Sequence, residues 1–395
     1  MLRFEDFELD GERRELRRGS VVVPMTPQAF DLMFLLAQKR DRVVSKDDMI
    51  ASVWSGRIVS DSTMTSHINA VRKALGDSGE AQRLIRTFPR KGVRFVGEAY
   101  EATRPENIAA QANKLRQEVH FCTADDGARL AWSSVGDGPT LVKTANWLNH
   151  LEFDWESPIW RPFLHAIAAD HRLIRYDARG NGLSDWEVED FSLAAFVRDL
   201  EVVINKAGLD RFALYGASQG AAIAISYAVR HPERVTCLVL YGGFARGRRK
   251  RGLPQDVDRA NAMETLMRLG WGQDNPAFRQ IFTSLFIPDG TLEQMRWWND
   301  LQRKTTTPEN AVRIRRAIDE IDVSDLLPRV KVPTLVMHCR DDAVQPFEEG
   351  RRLAASIPGA RFVALEGRNH VILEGDPSWS RFLGEIRDFV KSQGQ

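Results

Sequence analysis

The sequence predicts a multidomain protein, an α+β domain followed by a larger α/β domain. Three observations carry this. The first hundred residues alternate short strand-like runs with helical patterns. From Val119 onward, longer apolar runs alternate with helical stretches, as in a mostly parallel sheet covered on both faces. Between them, residues 99–118 are polar and alanine-rich and hold no strong apolar period. The 395 residues exceed one typical core and suit two or three domains. The expected division is therefore 1–98, a linker at 99–118 that reads equally as a short exposed helix, and 119–395.

In the first part, Phe4 to Leu9 and Glu15 to Pro24 read as short strands, with Gly11 and Gly19 near the turns. Thr26-Pro27-Gln28 opens a helix, because Thr26 can cap it and proline suits the first turn. Phe30, Leu32, Met33, Leu35 and Leu36 give it a wide apolar face. Ser45 is the expected cap of a second helix running to Val53-Trp54. The third helix lies in VSDSTMTSHINAVRKALGD, Val59 to Asp77. Met64, Ile68, Val71 and Leu75 repeat at helical spacing and face a core, while Thr65, Ser66, Asn69, Arg72 and Lys73 fall mainly on the other side. Gly76 ends the helix. Leu84 to Phe95 reads as a basic hairpin around Pro89 to Gly92. Residues 59–94 hold seven basic side chains against three acidic ones, a local footprint suited to phosphates.

Strands, three helices and a basic hairpin make a winged helix. The segments TPQAFDLMFLL, VVSKDDMIASVW, AVRKALGD and RTFPRKGVRF follow one another in order. Over nearly all of residues 1–98 the chain resembles the C-terminal effector domain of OmpR/PhoB-type response regulators, also found at the N-terminus of CadC/ToxR-like regulators. The resemblance implies double-stranded DNA as a partner. It implies a third helix in the major groove with Thr65, Ser66, Asn69, Arg72 and Lys73 on the groove side, and wing contacts from Arg86, Arg90 and Lys91. It also implies a homodimer, since paired half-sites need paired readers. No receiver domain precedes the module in this sequence, so control by aspartyl phosphorylation is not expected.

Bulk composition narrows the classes further. The net charge of +1 gives no global field for nucleic acid or membranes, so DNA affinity must be local. Cys122, Cys237 and Cys339 lie far apart without metal spacing, and buried free thiols in a reducing compartment are expected. No metal or other cofactor is expected. The N-terminal stretch has no apolar signal core and no run is long enough to span a bilayer, so the expectation is a cytoplasmic protein without a membrane partner.

In the second part, Gly216-Ala-Ser-Gln-Gly220 sits between the apolar run Arg211 to Tyr215 and a helical run from Ala221. Small residues two before and two after Ser218 permit the sharp strand-to-helix turn that exposes a serine oxygen. Serine acyl chemistry also needs a base and a group that orients it. His370, after the strand-like Arg361 to Leu365, is the base candidate. His231 reads as a helix end, His338 as a strand terminus, and His67 belongs to the DNA-binding part. The orienting acid comes from Asp341-Asp342, which follow another strand end.

The Ser–Asp–His order and the strand–helix alternation resemble the α/β-hydrolases from about Val119 to Gln395. That family's pattern puts the acid four residues before the proline, which selects Asp342 ahead of Pro346. Arg175 to Ser184 resembles the family's loop after its fourth strand. Leu141 to Trp147 occupies the place of the His-Gly oxyanion loop but carries Ala145-Asn146. By that alignment the backbone N–H groups of Trp147 and Gln219 would form the oxyanion hole. A serine nucleophile argues against the branches that use aspartate.

Between the strands at Leu238 and Val332 lies an insertion, about 244–328, where the family carries a helical cap. Its aromatics could line an apolar site, and packing of the cap explains them equally well. With Trp147, Phe153 and Trp155 at the same mouth, the expected ligand is a small, largely apolar carbonyl compound. The basic run Arg246 to Arg251 reads as a solvated loop, or as a contact for DNA or a partner. Together the parts predict a transcriptional regulator whose hydrolase-like domain binds a small acyl or ester-type effector, with residues in place that could also cleave it. The alternatives are a serine esterase with ancillary DNA binding, and a non-catalytic ligand sensor.

Overall fold

A computed structural model describes residues 2–11, 14–19, 21–54, 59–89, 91–97, 99–101, 115–273 and 275–393. Contacts divide the chain into two compact units, Met1–Ala112 and Asn113–Gln395.

The N-terminal unit opens with an antiparallel meander of β1 (Leu2–Phe4), β2 (Phe7–Asp10), β3 (Glu15–Arg18) and β4 (Val21–Val23). Four strands appear where the sequence reads as two, because Glu5 (φ 47°) and Gly19 (φ 59°) reverse the chain within each run. Helices α1 (Pro27–Gln38), α2 (Lys46–Val53) and α3 (Asp61–Ala74) follow. Thr26 accepts from Ala29 N–H and Ser45 forms a capping box with Asp48, which satisfies first-turn donors. Gly76 (φ 60°) takes the left-handed turn after α3. Strands β5 (Ile85–Phe88) and β6 (Gly92–Phe95) form the hairpin, and β7 (Tyr100–Glu101) pairs with β1. That last strand falls in the stretch read as linker and belongs to the N-terminal sheet; residues 102–114 lie outside the described residues. The core gathers Phe4, Phe7, Leu9, Leu32, Leu36, Val71 and Phe95, each fully or almost fully buried. Each such side chain contributes roughly 1.5–3 kcal/mol.

The second unit is built on one eight-stranded sheet. In chain order its strands are β8 (Glu118–Thr123), β9 (Arg129–Val135), β10 (Thr140–Lys143), β11 (Arg172–Tyr176), β12 (Phe212–Ala217), β13 (Val235–Tyr241), β14 (Thr334–Cys339) and β15 (Arg361–Leu365). Their spatial order is β15-β14-β13-β12-β10-β11-β9-β8, parallel from β11 to β15, with β8 and β9 antiparallel at one edge. Strands β12 and β14 are buried along their whole length, which is why their sequences run apolar without alternation. Helices α4 (Leu151–Glu156), α5 (Arg161–Ala168), α6 (Leu193–Lys206), α7 (Gly220–Arg230), α12 (Phe347–Ser356) and α13 (Trp379–Gln393) accompany the sheet. The three cysteines are free and buried. Among the described residues no helix is long and apolar enough to cross a membrane.

Between β13 and β14 stand the cap helices α8 (Pro254–Gly270), α9 (Pro276–Phe286), α10 (Leu292–Thr305) and α11 (Pro308–Asp319). The basic run before α8 is not a solvated loop. Arg248–Lys250 forms a short 3-10 turn in which Arg248 is buried. Its neighbours are neutralised locally, Arg246 by Glu349, Arg249 by Glu264 and Glu320, and Lys250 by Glu320.

Candidate active site and DNA-binding face

Strands β10, β12, β13, β14 and β15 run parallel, so the loops leaving their carboxyl ends meet along one edge of the sheet. The Trp147 loop follows β10, Ser218 follows β12, Asp342 follows β14 and His370 follows β15.

Ser218 occupies the left-handed region at φ 53°, a strained conformation for a residue with a side chain. It sits on the two-residue turn, Ser218-Gln219, between β12 and α7, its N–H bonded to Tyr241 O at 2.9 Å. The flanking glycines are sterically required. A Cβ on Gly216 would meet Gly220 O at 2.6 Å, and one on Gly220 would collide with the Thr144 hydroxyl. Gln219 is buried at the start of α7 without a side-chain cap, so the positive end of that helix lies beside Ser218.

His370 Nδ1 donates to Asp342 Oδ2 at 2.7 Å. The other oxygen, Oδ1, accepts from Val344 N–H at 2.8 Å and Gln345 N–H at 2.9 Å. Burial pushes the Asp342 carboxyl up, but the His370 charge and hydrogen bond, with the His338 charge, outweigh it and hold it below the usual carboxylate range. An ionised Asp342 accepts only, so the imidazole proton stays on Nδ1 and Nε2 is free to accept. Asp341 has no such bond to His370; its backbone N–H reaches Gly367 O. His338 is fully buried, its Nε2 against Gln345 O at 3.1 Å, and burial lowers its basicity. It backs the acid loop rather than facing Ser218.

Ser218 and His370 line one small cavity of about 20 Å³ with Asn146, Trp147, Tyr241 and Phe286. That volume admits about one water molecule. Phe286 meets His370 edge-on at 5.4 Å, and its carbonyl accepts from His370 N–H at 2.9 Å and Val371 N–H at 3.2 Å. The end of cap helix α9 is thereby tied to the histidine loop. Asn146 escaped the sequence reading as a cavity residue. Its Oδ1 is held by Lys143 Nζ, and burial brings that lysine down to about 8. A lysine in an apolar strand three residues before Asn146 was the available signal.

In the N-terminal unit Thr65, Ser66, Asn69 and Lys73 are exposed on α3, and Arg86 and Lys91 are exposed on the hairpin. Arg72 does not join them. It is buried, donating to Ile85 O at 3.1 Å and Thr87 Oγ1 at 2.9 Å, and so pins α3 to β5. Arg90 lies outside the described residues.

Residues 151–377 match the family described as alpha/beta hydrolase fold, and residues 20–95 match the C-terminal domain of transcriptional regulatory proteins. The chain belongs to the α/β-hydrolase fold family and carries an OmpR/PhoB-type winged helix before that domain. It is similar to the AB hydrolase superfamily protein YisY of Bacillus subtilis, 27% identical over 265 residues, 64% of this chain and 92% of that one. It is also similar to pyrrolizixenacetamide deacetylase of Xenorhabdus hominickii, 23% identical over 274 residues, 67% of this chain and 96% of that one. An esterase structure from Exiguobacterium antarcticum superposes with TM-score 0.58 at 24% identity, covering 69% of this chain and all of that one, a likeness of fold.

Proposed function

We propose that this protein is a DNA-binding transcriptional regulator whose hydrolase domain binds and cleaves a small, largely apolar acyl compound. The observation that carries the catalytic half is one arrangement. A serine at φ 53° shares a cavity with a histidine whose far nitrogen is bonded to a buried carboxylate. In this reading His370 Nε2 takes the proton of Ser218 Oγ as that oxygen attacks the carbonyl carbon. Asp342 keeps the proton on His370 Nδ1 and stabilises the imidazolium. The backbone N–H groups of Trp147 and Gln219 receive the oxyanion, helped by the positive end of α7. His370 then protonates the leaving oxygen, and a water repeats the sequence to free the acid.

The smallness of the cavity favours short acyl groups, and larger ones require Phe286 to move. A relative whose name specifies a deacetylase agrees with that size class. Thr65, Ser66, Asn69 and Lys73 would face the groove, with Arg86 and Lys91 on the backbone, in a homodimer. Effector binding and DNA binding would then change one another's affinity by the same factor.

The test is hydrolysis of a series of short nitrophenyl esters by the full chain beside Ser218→Ala, with DNA affinity measured in the presence of each ester. Turnover lost in the variant supports the catalytic half. Equal turnover in both proteins refutes it, and DNA affinity indifferent to every ester refutes the regulatory half.

A further inference from the structure

A second cavity, about 570 Å³, lies between cap helix α8 and the loop that follows Asp342. Its size falls within the range of small-molecule sites. Three arginines line it, Arg248, Arg251 and Arg259, with Asp256. Two of them lack a counter-ion. Arg248 is 8% exposed and donates to Val344 O at 3.3 Å; Arg251 donates to Arg246 O and to the Gln345 side chain. Neither forms an ion pair among the described residues. The nearby carboxylates, whose charges are felt by both, make their close contacts with other arginines. Asp256 faces Arg259 at 3.7 Å, Asp319 is bonded to Arg315, and Glu349 faces Arg246 and Arg352. Asp342, also on the wall, directs Oδ2 to His370 and Oδ1 to backbone N–H groups. Burial and the nearby Arg315 charge bring Arg248 down to about 9.

A buried guanidinium without a paired carboxylate is costly, and one that lines a cavity is open to an anionic partner entering that cavity. The rest of the wall is apolar, with Met263, Leu266 and Leu285. We propose that this cavity binds a small organic monocarboxylate, its carboxylate on Arg248 and Arg251 and its apolar body against Met263, Leu266 and Leu285. Asp256 on the wall disfavours a doubly charged phosphate, and the apolar side gives an inorganic anion nothing to cover. The site is separate from the Ser218 cavity and does not depend on turnover, although acids released by ester cleavage belong to the class it would hold.

The test is calorimetric binding of benzoate and hexanoate to the full chain, with benzamide as the uncharged shape control. We expect wild type and Ser218→Ala to bind the acids alike. Benzamide should bind at least about tenfold more weakly, and Arg248→Gln should weaken the acids by at least about tenfold, the loss of one charge-assisted contact. Leu266→Asp, which sets a negative charge on a half-buried wall position, should do the same and serves if Arg248→Gln fails to fold. Unchanged affinity in a folded variant, equal binding of benzamide, tighter binding of inorganic phosphate, or no binding of either acid at millimolar concentration would overturn the assignment. Loss of binding in Ser218→Ala alone would move the acid to the other cavity and overturn it as well.

Discussion

Replacing Asp342 by asparagine alters one atom and inverts the hydrogen-bond logic around His370. In the native arrangement Oδ1 accepts two backbone N–H groups, from Val344 and Gln345, while Oδ2 accepts from His370 Nδ1 at 2.7 Å. An asparagine must keep its oxygen on the two backbone donors, since its amino group has nothing to give them. The amino group then faces His370 Nδ1, which must become an acceptor, and the imidazole proton moves to Nε2. A histidine protonated there cannot take the proton of Ser218. The expected fall in kcat is about 10⁴-fold, the scale of a wrong tautomer in a serine triad. That corresponds to about 5.4 kcal/mol of transition-state stabilisation. The assay is steady-state hydrolysis of 4-nitrophenyl acetate, with circular dichroism to establish that the variant is folded. A folded Asp342→Asn enzyme within about tenfold of wild type would refute the reasoning.

Other expectations can be checked independently. Arg72→Ala should cost about 2 kcal/mol in urea unfolding of the N-terminal domain, because it leaves the Ile85 carbonyl and Thr87 without their buried donor. Lys91→Ala should instead leave stability unchanged, weaken binding to all DNA sequences, and reduce the salt slope of binding by about one, as expected for the backbone contact proposed for it. Phe286→Ala should shift the ester preference from acetyl toward longer acyl chains, since Phe286 closes the roughly 20 Å³ cavity; an unchanged chain-length profile would count against that cavity as the acyl site. The folded-state value of Asp342 lies below its ordinary 3.8, so its contribution to stability is whole above 3.8 and disappears as pH falls through the lower folded value. Unfolding of wild type should therefore lose more stability than Asp342→Asn across that acid window.

Much of the site was legible because its chemistry is tied to local sequence. The glycines around Ser218 are there to let helix and strand approach, and that need is written at fixed spacing. The loops bearing Asp342 and His370 each follow an apolar, strand-like run, the fully buried β14 and the partly buried edge strand β15. The helix caps at Thr26 and Ser45 were readable for the same reason. What escaped depends on which way a side chain turns. Arg72 was assigned to the groove side by helical spacing and the family resemblance, yet it stands four residues after Ile68 and three before Leu75, on the edge of the apolar stripe. Its long stem reaches the carbonyl of Ile85 from there. The run Arg246 to Arg251 looked like a solvated loop because charge density says nothing about partners. Glu264, Glu320 and Glu349, which neutralise three of its members, are distant in sequence. The small size of the Ser218 cavity is set by how Trp147 and Phe286 pack across it, and no period in the sequence encodes that.

The central claim is that Ser218 is an activated nucleophile, and its most direct test does not require the natural substrate. A fluorophosphonate reacts with a serine only when a base removes its proton and donors stabilise the phosphoryl oxygen. Intact-mass measurement of the full chain after treatment should give one adduct on wild type, at Ser218, none on Ser218→Ala, and much slower labelling on His370→Ala. A wild-type protein that stays unmodified, or labels as fast without His370 as with it, would contradict the account.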